Sequence, residues 1–512
     1  MARVGEWWWR GWAGLVRWGR KAAAGDAGWA FTCWLFLHLL GVIYLIAFLS
    51  LWMQLKGLVG HDGILPAAPF LQAARAQLGP AAYWVLPTAC WLNASDAALQ
   101  LLCALGVGAA VALILDRAPA AMLALLWASY LSLATVCRDF LWFQWDSLLL
   151  ETGFLAVFLA PWRMSPAREP EPPPRLAVWL LRWLLFRLMV SSGAVKLSSG
   201  DPAWRTLTAL VYHYETQPLP TWIGWYAHQL PAWFHRLSCA AMFAVEFAAP
   251  FAAFAPRPWR RAGAAVLAAF QLLIMATGNY TFFNLLAIIL CLPLLDDDLW
   301  PARWRSALRR PAAPNEPVAP RTCPRWLLVP VACLLALATT VPALGAFHER
   351  ARVPAPLAAL YSALATWRVV GSYGLFAMMT TSRPEIIVEG SADGEVWQAY
   401  EFTDKPGDLR RRPRFVAPNQ PRLDWQMWFA ALGGYRNNPW FLSFCSQLLK
   451  GSPDVLALLA HNPFPDGPPH YLRALVYDYR FTDVAARRAE GAWWRREPKG
   501  LYCPMLSLRK EP

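Results

Sequence analysis

The sequence predicts a polytopic α-helical membrane protein of about nine spans, followed by a soluble β-rich domain of α+β or β-sandwich type at the C-terminus. Three observations carry this reading. Of 512 residues, 57% are hydrophobic and only 16% are charged, where soluble proteins carry about a quarter. Apolar runs long enough to cross a hydrocarbon core recur through the first two-thirds of the chain. Beyond residue 383 the apolar period shortens to that of strands. A large soluble protein would need polar faces on its helices, and runs such as 327–345, LLVPVACLLALATTVPALG, have none.

In chain order, residues 1–28 are basic and Trp-rich, as in an amphipathic segment lying on the inner membrane surface. The first apolar run comes late and is full length, unlike that of a cleavable signal. The transmembrane domain is placed at 29–346, with spans at 29–51, 97–115, 119–136, 146–162, 176–196, 239–255, 262–277, 281–295 and 326–346. Only Gly278-Asn279-Tyr280 separates the seventh and eighth, which read as a hairpin or a partly re-entrant pair. With the N-terminus inside, the inner connections hold about three times as many Lys and Arg as the outer ones. An odd number of spans then leaves the C-terminal domain outside.

The inner stretches 163–175 and 296–325 are proline-rich connectors, and Asp296-Asp297-Asp298 reads as a solvated helix stop. The outer loop 197–238 is too long and too aromatic for a linker and is expected to fold over the outer mouth of the bundle. A connector, 347–382, leads to the C-terminal domain, 383–512. There, 385–390, 396–402 and 474–481 read as strands, with Ser391–Gly394 as a turn. Segments 423–432 and 453–461 read as helices.

The net charge is +14, but the basic residues sit between apolar runs, which argues against a nucleic-acid binder. The ten cysteines form no C-x-x-C; Cys445 and Cys503 are candidates to pair if their side is oxidising. The residues identify no cofactor and no metal site, and membrane lipid is the small ligand for which they leave room.

Ionisable residues inside spans are costly and mark candidate sites. Asp146, Glu151, Arg187 and Glu246 form such an intramembrane charge set. Their depths allow Arg187 to pair with Glu151 or Glu246, most simply as a brace between helices. Lys196, where a span meets the outer loop, is either a snorkelling interfacial lysine or a desolvated base. His213 and Glu215 are a candidate acid/base pair or ligand pair, although one His with one Glu is a weak metal signal.

Several segments carry a resemblance. Gln144–Gly153 (QWDSLLLETG), Tyr212–Pro218 (YHYETQP), Gly278–Asn284 (GNYTFFN), Ser372–Phe376 (SYGLF), Pro421–Leu432 (PRLDWQMWFAAL), His461–Phe464 (HNPF) and Trp493–Arg495 resemble the lipase maturation factors, the second member type more than the first. The resemblance implies a membrane protein that assists folding, assembly or maturation of secreted lipases or other exported proteins. It also implies residence in the endoplasmic reticulum if the source is eukaryotic, or the cytoplasmic membrane if bacterial, with the C-terminal domain lumenal or periplasmic. The membrane part also resembles the vitamin K-dependent γ-glutamyl carboxylase superfamily through Val195-Lys196-Leu197, Asp201 and Trp204.

Two readings follow. In the first, Trp425, Trp428, Phe429, Trp493 and Trp494 offer apolar surface to a client protein, unless they form the C-terminal core. In the second, a membrane-embedded enzyme uses Lys196 as a base on a lipid or lipid-like cofactor, with His213 or Glu215. That enzyme would have a cavity lined by Lys196, Glu151, Arg187 and Glu246. A transporter is disfavoured, because no inverted repeat is visible.

Overall fold

The computed structural model describes residues 27–164, 170–307, 322–347 and 353–508. Residues 1–26 of the amphipathic segment expected at 1–28 and parts of the two proline-rich connectors lie outside the described residues.

Among the described residues, seven helical stretches are long and apolar enough to cross a membrane: Ala30–Trp52, Asp96–Ile114, Pro119–Val136, Arg175–Ser198, Ala232–Phe254, Arg257–Thr277 and Arg325–Phe347. In the order α1, α2, α3, these include Ala30–Trp52, Asp96–Ile114 and Pro119–Val136; α4 is Gln144–Leu159 and α5 is Arg175–Ser198. The loop helices α6 and α7 are Ala209–Thr216 and Trp222–His228, and α8 is Ala232–Ala248, continued by a 3-10 turn to Phe254. α9 is Arg257–Thr277 and α10 is Phe283–Leu290. The stretch Arg325–Phe347 breaks at Thr339 into α11 (Arg325–Ala338) and α12 (Thr340–Phe347), and α13 is Ala355–Thr366.

Of the nine expected spans, the fourth and eighth fall short of spanning length. α4 has 16 residues and nearly all of it is buried, so it sits inside the bundle rather than against lipid. The eighth, Phe283–Leu294, is a short apolar helix and turn. It runs back along α9 to that helix's N-terminal end, where Arg260 reaches Asp296 at 3.3 Å, making a hairpin. The acidic triplet is not a solvated stop: Asp296 and Asp297 are buried. Asp297 accepts from the backbone amides of Phe31 (3.1 Å) and Thr32 (2.9 Å), capping the start of α1.

α1 packs on α2, α4 and α10. Close approach to α4 depends on Gly153, where a Cβ would overlap the Tyr44 hydroxyl that donates to Leu149 O at 3.1 Å. Gly153→Ala is therefore expected to destabilise by about 1–3 kcal/mol, read as a lower thermal-unfolding midpoint in detergent; an unchanged midpoint would show that Tyr44 swings aside freely.

The C-terminal part is antiparallel sheet with helices against it. Its strands are β1 (Arg383–Ser391), β2 (Gln398–Ala399), β3 (Glu401–Phe402), β4 (Leu459–His461), β5 (Tyr471–Phe481) and β6 (Trp494–Leu506). Four form one sheet in the order β2-β1-β5-β6, and β3 pairs β4. β1 runs against β5 in unbroken register from Arg383 opposite Tyr479 to Ser391 opposite Tyr471. Helices α14 (Arg422–Ala431) and α15 (Pro439–Lys450) join it. α15 and β6 were not legible in the sequence, whereas 453–461, expected as a helix, is a four-residue turn of helix leading into β4. Cys445 and Cys503 are free and buried, so the expected pairing is not made.

Candidate functional site

The expected loop 197–238 does cover the helix ends, as a chain of short helices, and the C-terminal domain meets them there. Arg383, fully buried at the start of β1, donates to the carbonyls of Glu215 (2.8 Å), Gln217 and Pro218 (2.8 Å). It also binds Glu385 at 2.6 Å. Trp428 Nε1 donates to Thr216 O at 2.8 Å. Asn279 binds two stretches at once: its amide nitrogen donates to Leu219 O at 3.1 Å and to Arg414 O at 2.8 Å, and its oxygen accepts from Val416 N at 2.7 Å. The carbonyls of Glu215, Gln217 and Pro218, one in the last turn of α6 and two just past its end, lack helical donors, and Arg383 satisfies them.

The charged residues expected in the membrane form three separate pairs rather than one network. Glu151 takes Arg187 on one oxygen and, on the other, Gly371 N at 2.7 Å and the Tyr373 hydroxyl at 2.6 Å. Lys196 Nζ lies 2.6 Å from Glu246 Oε1. Asp146 accepts from the Tyr130 hydroxyl and lies 3.5 Å from Arg422 Nη2, both charged groups being fully buried. Arg187 thus pairs with Glu151, not Glu246. Lys196 is not an interfacial snorkel, since it is buried against Glu246 with its ammonium 5.5 Å from the Trp204 ring.

His213 and Glu215 do not meet in the structure. Two residues apart on α6, they point to different sides. His213 Nε2 meets the Tyr280 hydroxyl at 3.0 Å, while Glu215 accepts from Phe481 N at 3.0 Å and lies 3.6 Å from His228. Burial, aided by the Lys196 charge, pushes the His213 imidazole down to about 4, so it is neutral at cellular pH. Burial also raises the Glu215 carboxyl.

Of the five aromatic residues expected to meet a client, Trp425, Trp428, Trp493 and Trp494 are buried, and only Phe429, at 44% exposed, offers surface. The four indoles pack inside: Trp425 on Trp145 at 4.7 Å between ring centres, and Trp493 on Trp225 at 5.3 Å. Trp425, Trp428 and Trp493 lie at the seam between C-terminal domain and helices, and Trp494 packs on Tyr479 and Phe481 of its own domain.

The expected cavity exists with a different lining. A space of about 520 Å³ lies between α5, α8 and α9, lined by Lys196, Glu246 and His213 among mostly apolar residues. Glu151 and Arg187 are not on its wall; Tyr373 and the backbone of Gly371 enclose them instead. Asp201, matched above with Trp204, caps the short helix after α5 by accepting from Ala203 N at 2.8 Å and also holds Met379 N.

What sequence reasoning missed is that the motifs are one another's partners. Trp145 Nε1 donates to Gln420 Oε1 at 3.0 Å, and Gln420 N donates to Ser50 Oγ at 3.0 Å. Gln54 Oε1 accepts from Arg422 N at 2.8 Å, and Arg422 Nη1 donates to Phe140 O at 2.6 Å. Tyr280 donates to Gln217 at 2.9 Å, and Gly374 packs so closely on Val195 that a Cβ would overlap it. A basic residue opening the RLDWQMW segment, with an unmatched intramembrane Asp146, was the available signal for Arg422.

Residues 31–302 match the family model described as the lipase maturation factor transmembrane domain, and residues 369–504 match the lipase maturation factor C-terminal domain. The human lipase maturation factor 2 is 38% identical, over 93% of this chain and 82% of the relative. The chicken (Gallus gallus) lipase maturation factor 2 is 37% identical, over 93% and 81%. The bovine (Bos taurus) lipase maturation factor 1 is 35% identical, over 93% and 90%. No solved structure matches the chain. With two family domains covering most of its length and relatives at this identity, the chain is an integral membrane protein that belongs to the lipase maturation factor family.

Proposed function

We propose that this protein is a maturation factor for secreted lipases, held in the endoplasmic reticulum membrane with its C-terminal domain in the lumen. What supports the reading is that the two family domains occur in one chain and that their motifs bond to each other across the boundary. The C-terminal sheet is thereby fixed on the loop helices α6 and α7, forming one rigid wall rather than a tethered module. A client lipase would meet the exposed side of that wall, where Phe429 lies. The enzyme reading is not favoured by these relatives, whose names record maturation factors.

The test needs the full chain, because removing the C-terminal domain would strand Trp145, Asp146 and Asn279. Cells deleted for their own factors and secreting a lipase are complemented with this chain, tagged at its C-terminus. The expected result is recovered lipase activity per unit of secreted lipase, with the tag protected from protease in sealed microsomes. An abundant, membrane-inserted chain that leaves the lipase inactive defeats the maturation role. A tag digested in sealed microsomes defeats the topology.

A further inference from the structure

The cavity between α5, α8 and α9 has a volume of about 520 Å³, inside the range of small-molecule sites. Its walls are almost entirely apolar, built from side chains such as Leu188, Met242, Phe270 and Ile274. The more exposed lining residues are also apolar or aromatic: Tyr226, Leu230, Phe234 and Leu273. Phe234 and Leu273 sit on stretches long and apolar enough to span the membrane. An opening rimmed this way faces hydrocarbon more favourably than water.

Ser192, Trp204, Thr277 and Tyr280 on the wall are hydrogen-bonded, but three other polar groups are incompletely satisfied. Glu246 Oε1 takes the Lys196 ammonium at 2.6 Å, while the buried Oε2 has no hydrogen-bond partner among the described residues. His213 Nδ1 is in the same condition. The amide nitrogen of Gln271 faces only the Met189 sulfur, at 3.6 Å. Buried polar atoms without partners carry a desolvation cost that a hydrogen-bonding ligand removes.

Charge selects the ligand's head. Lys196 and Glu246 neutralise each other, and burial keeps His213 uncharged. An anionic head would meet the free carboxylate oxygen, and a cationic one would meet the ammonium. A hydroxyl both donates and accepts, which matches an open acceptor on Glu246 beside donors on Lys196 and Gln271.

We propose that this cavity binds a neutral membrane lipid with a hydroxyl head, entering sideways from the bilayer past α8 and α9, its hydroxyl donating to Glu246 Oε2 and accepting from Lys196 or Gln271. The remainder of the lipid lies along Met242, Phe270 and Ile274. The inference is independent of the maturation role, since it concerns occupancy and not lipase output.

The experiment uses the full chain in phosphatidylcholine nanodiscs with four photoactivatable, alkyne-tagged probes: a monoacylglycerol, a sterol, the methyl ether of whichever of these labels, and a phosphatidylserine. At least one hydroxyl probe is expected to crosslink peptides from 188–196, 238–246 or 270–277. Losing the hydroxyl hydrogen bonds to charged partners should lower labelling by about tenfold for the methyl ether, and phosphatidylserine should label no better. Monoacylglycerol or sterol labelling alone identifies the lipid source. Met242→Trp and Ile274→Trp each fill the space and should abolish this labelling, while Val266→Trp, on the exposed side of α9, should not. Equal labelling by the methyl ether or by phosphatidylserine overturns the proposal in the unaltered chain, even if both filled variants fail to fold. Labelling that survives in folded, filled variants overturns it as well.

Discussion

Arg422→Met is expected to destabilise the protein by about 3–5 kcal/mol, the cost of leaving a buried charge without its partner. Arg422 and Asp146 are both fully buried, 3.5 Å apart, one at the start of α14 and the other in the first turn of α4. With Arg422 gone, Asp146 keeps only the Tyr130 hydroxyl, and Phe140 O loses its 2.6 Å donor. The joint between the C-terminal domain and the helices should then open. The measurements are a lower thermal-unfolding midpoint in detergent and faster protease release of a fragment beginning near residue 383. Replacing both partners, as in Asp146→Leu with Arg422→Met, should recover much of the loss, because two well-packed apolar side chains leave no orphaned charge. A single Arg422→Met protein as stable as the parent would mean that Asp146 is protonated or watered, and that the pair is not what closes the joint.

Removing Arg187 is the second large perturbation. Arg187 on α5 and Glu151 on α4 are buried together, and Glu151 also holds Gly371 N and the Tyr373 hydroxyl. One carboxylate therefore ties two helices to the segment that leads to β1. Arg187→Met should cost about 3–5 kcal/mol by stranding Glu151. Tyr373→Phe removes one bond to a charged acceptor and should cost about 1.5–3 kcal/mol. That order, read from unfolding midpoints and from the abundance of inserted chain, tests the geometry. A Tyr373→Phe variant weaker than Arg187→Met would place the load on the hydroxyl instead. In cells both variants should lower lipase maturation in proportion to lost chain, with activity per inserted molecule kept.

The helices of the membrane region were legible because hydropathy is a local sum: a run of apolar residues reports its own burial wherever it sits. The strands 385–390 and 474–481 were legible for the same reason, since alternation is written in each segment alone. β6 was hidden because Arg495, Arg496, Glu497, Pro498 and Lys499 fill an exposed edge and blur its period. Span length misled at α4, whose apolar residues face other helices rather than lipid. Trp425, Trp428, Trp493 and Trp494 misled as client surface, because the indole suits an interface whether the partner is another protein or another part of the same chain.

Composition, periodicity and charge placement were thus enough to establish a helical membrane protein with a sheet-bearing C-terminal domain, and to mark Asp146, Glu151, Arg187 and Glu246 as residues that need partners. Which partner each one has came only from packing. Asp146 and Arg422 are 276 residues apart, and Glu151 and Tyr373 are 222 apart. A buried charge demands compensation within a few ångströms, but nothing local states from which distant segment it comes. The same holds for the cavity: Lys196 and Glu246 are each written in the sequence, while the apolar space beside them exists only where α5, α8 and α9 fail to close.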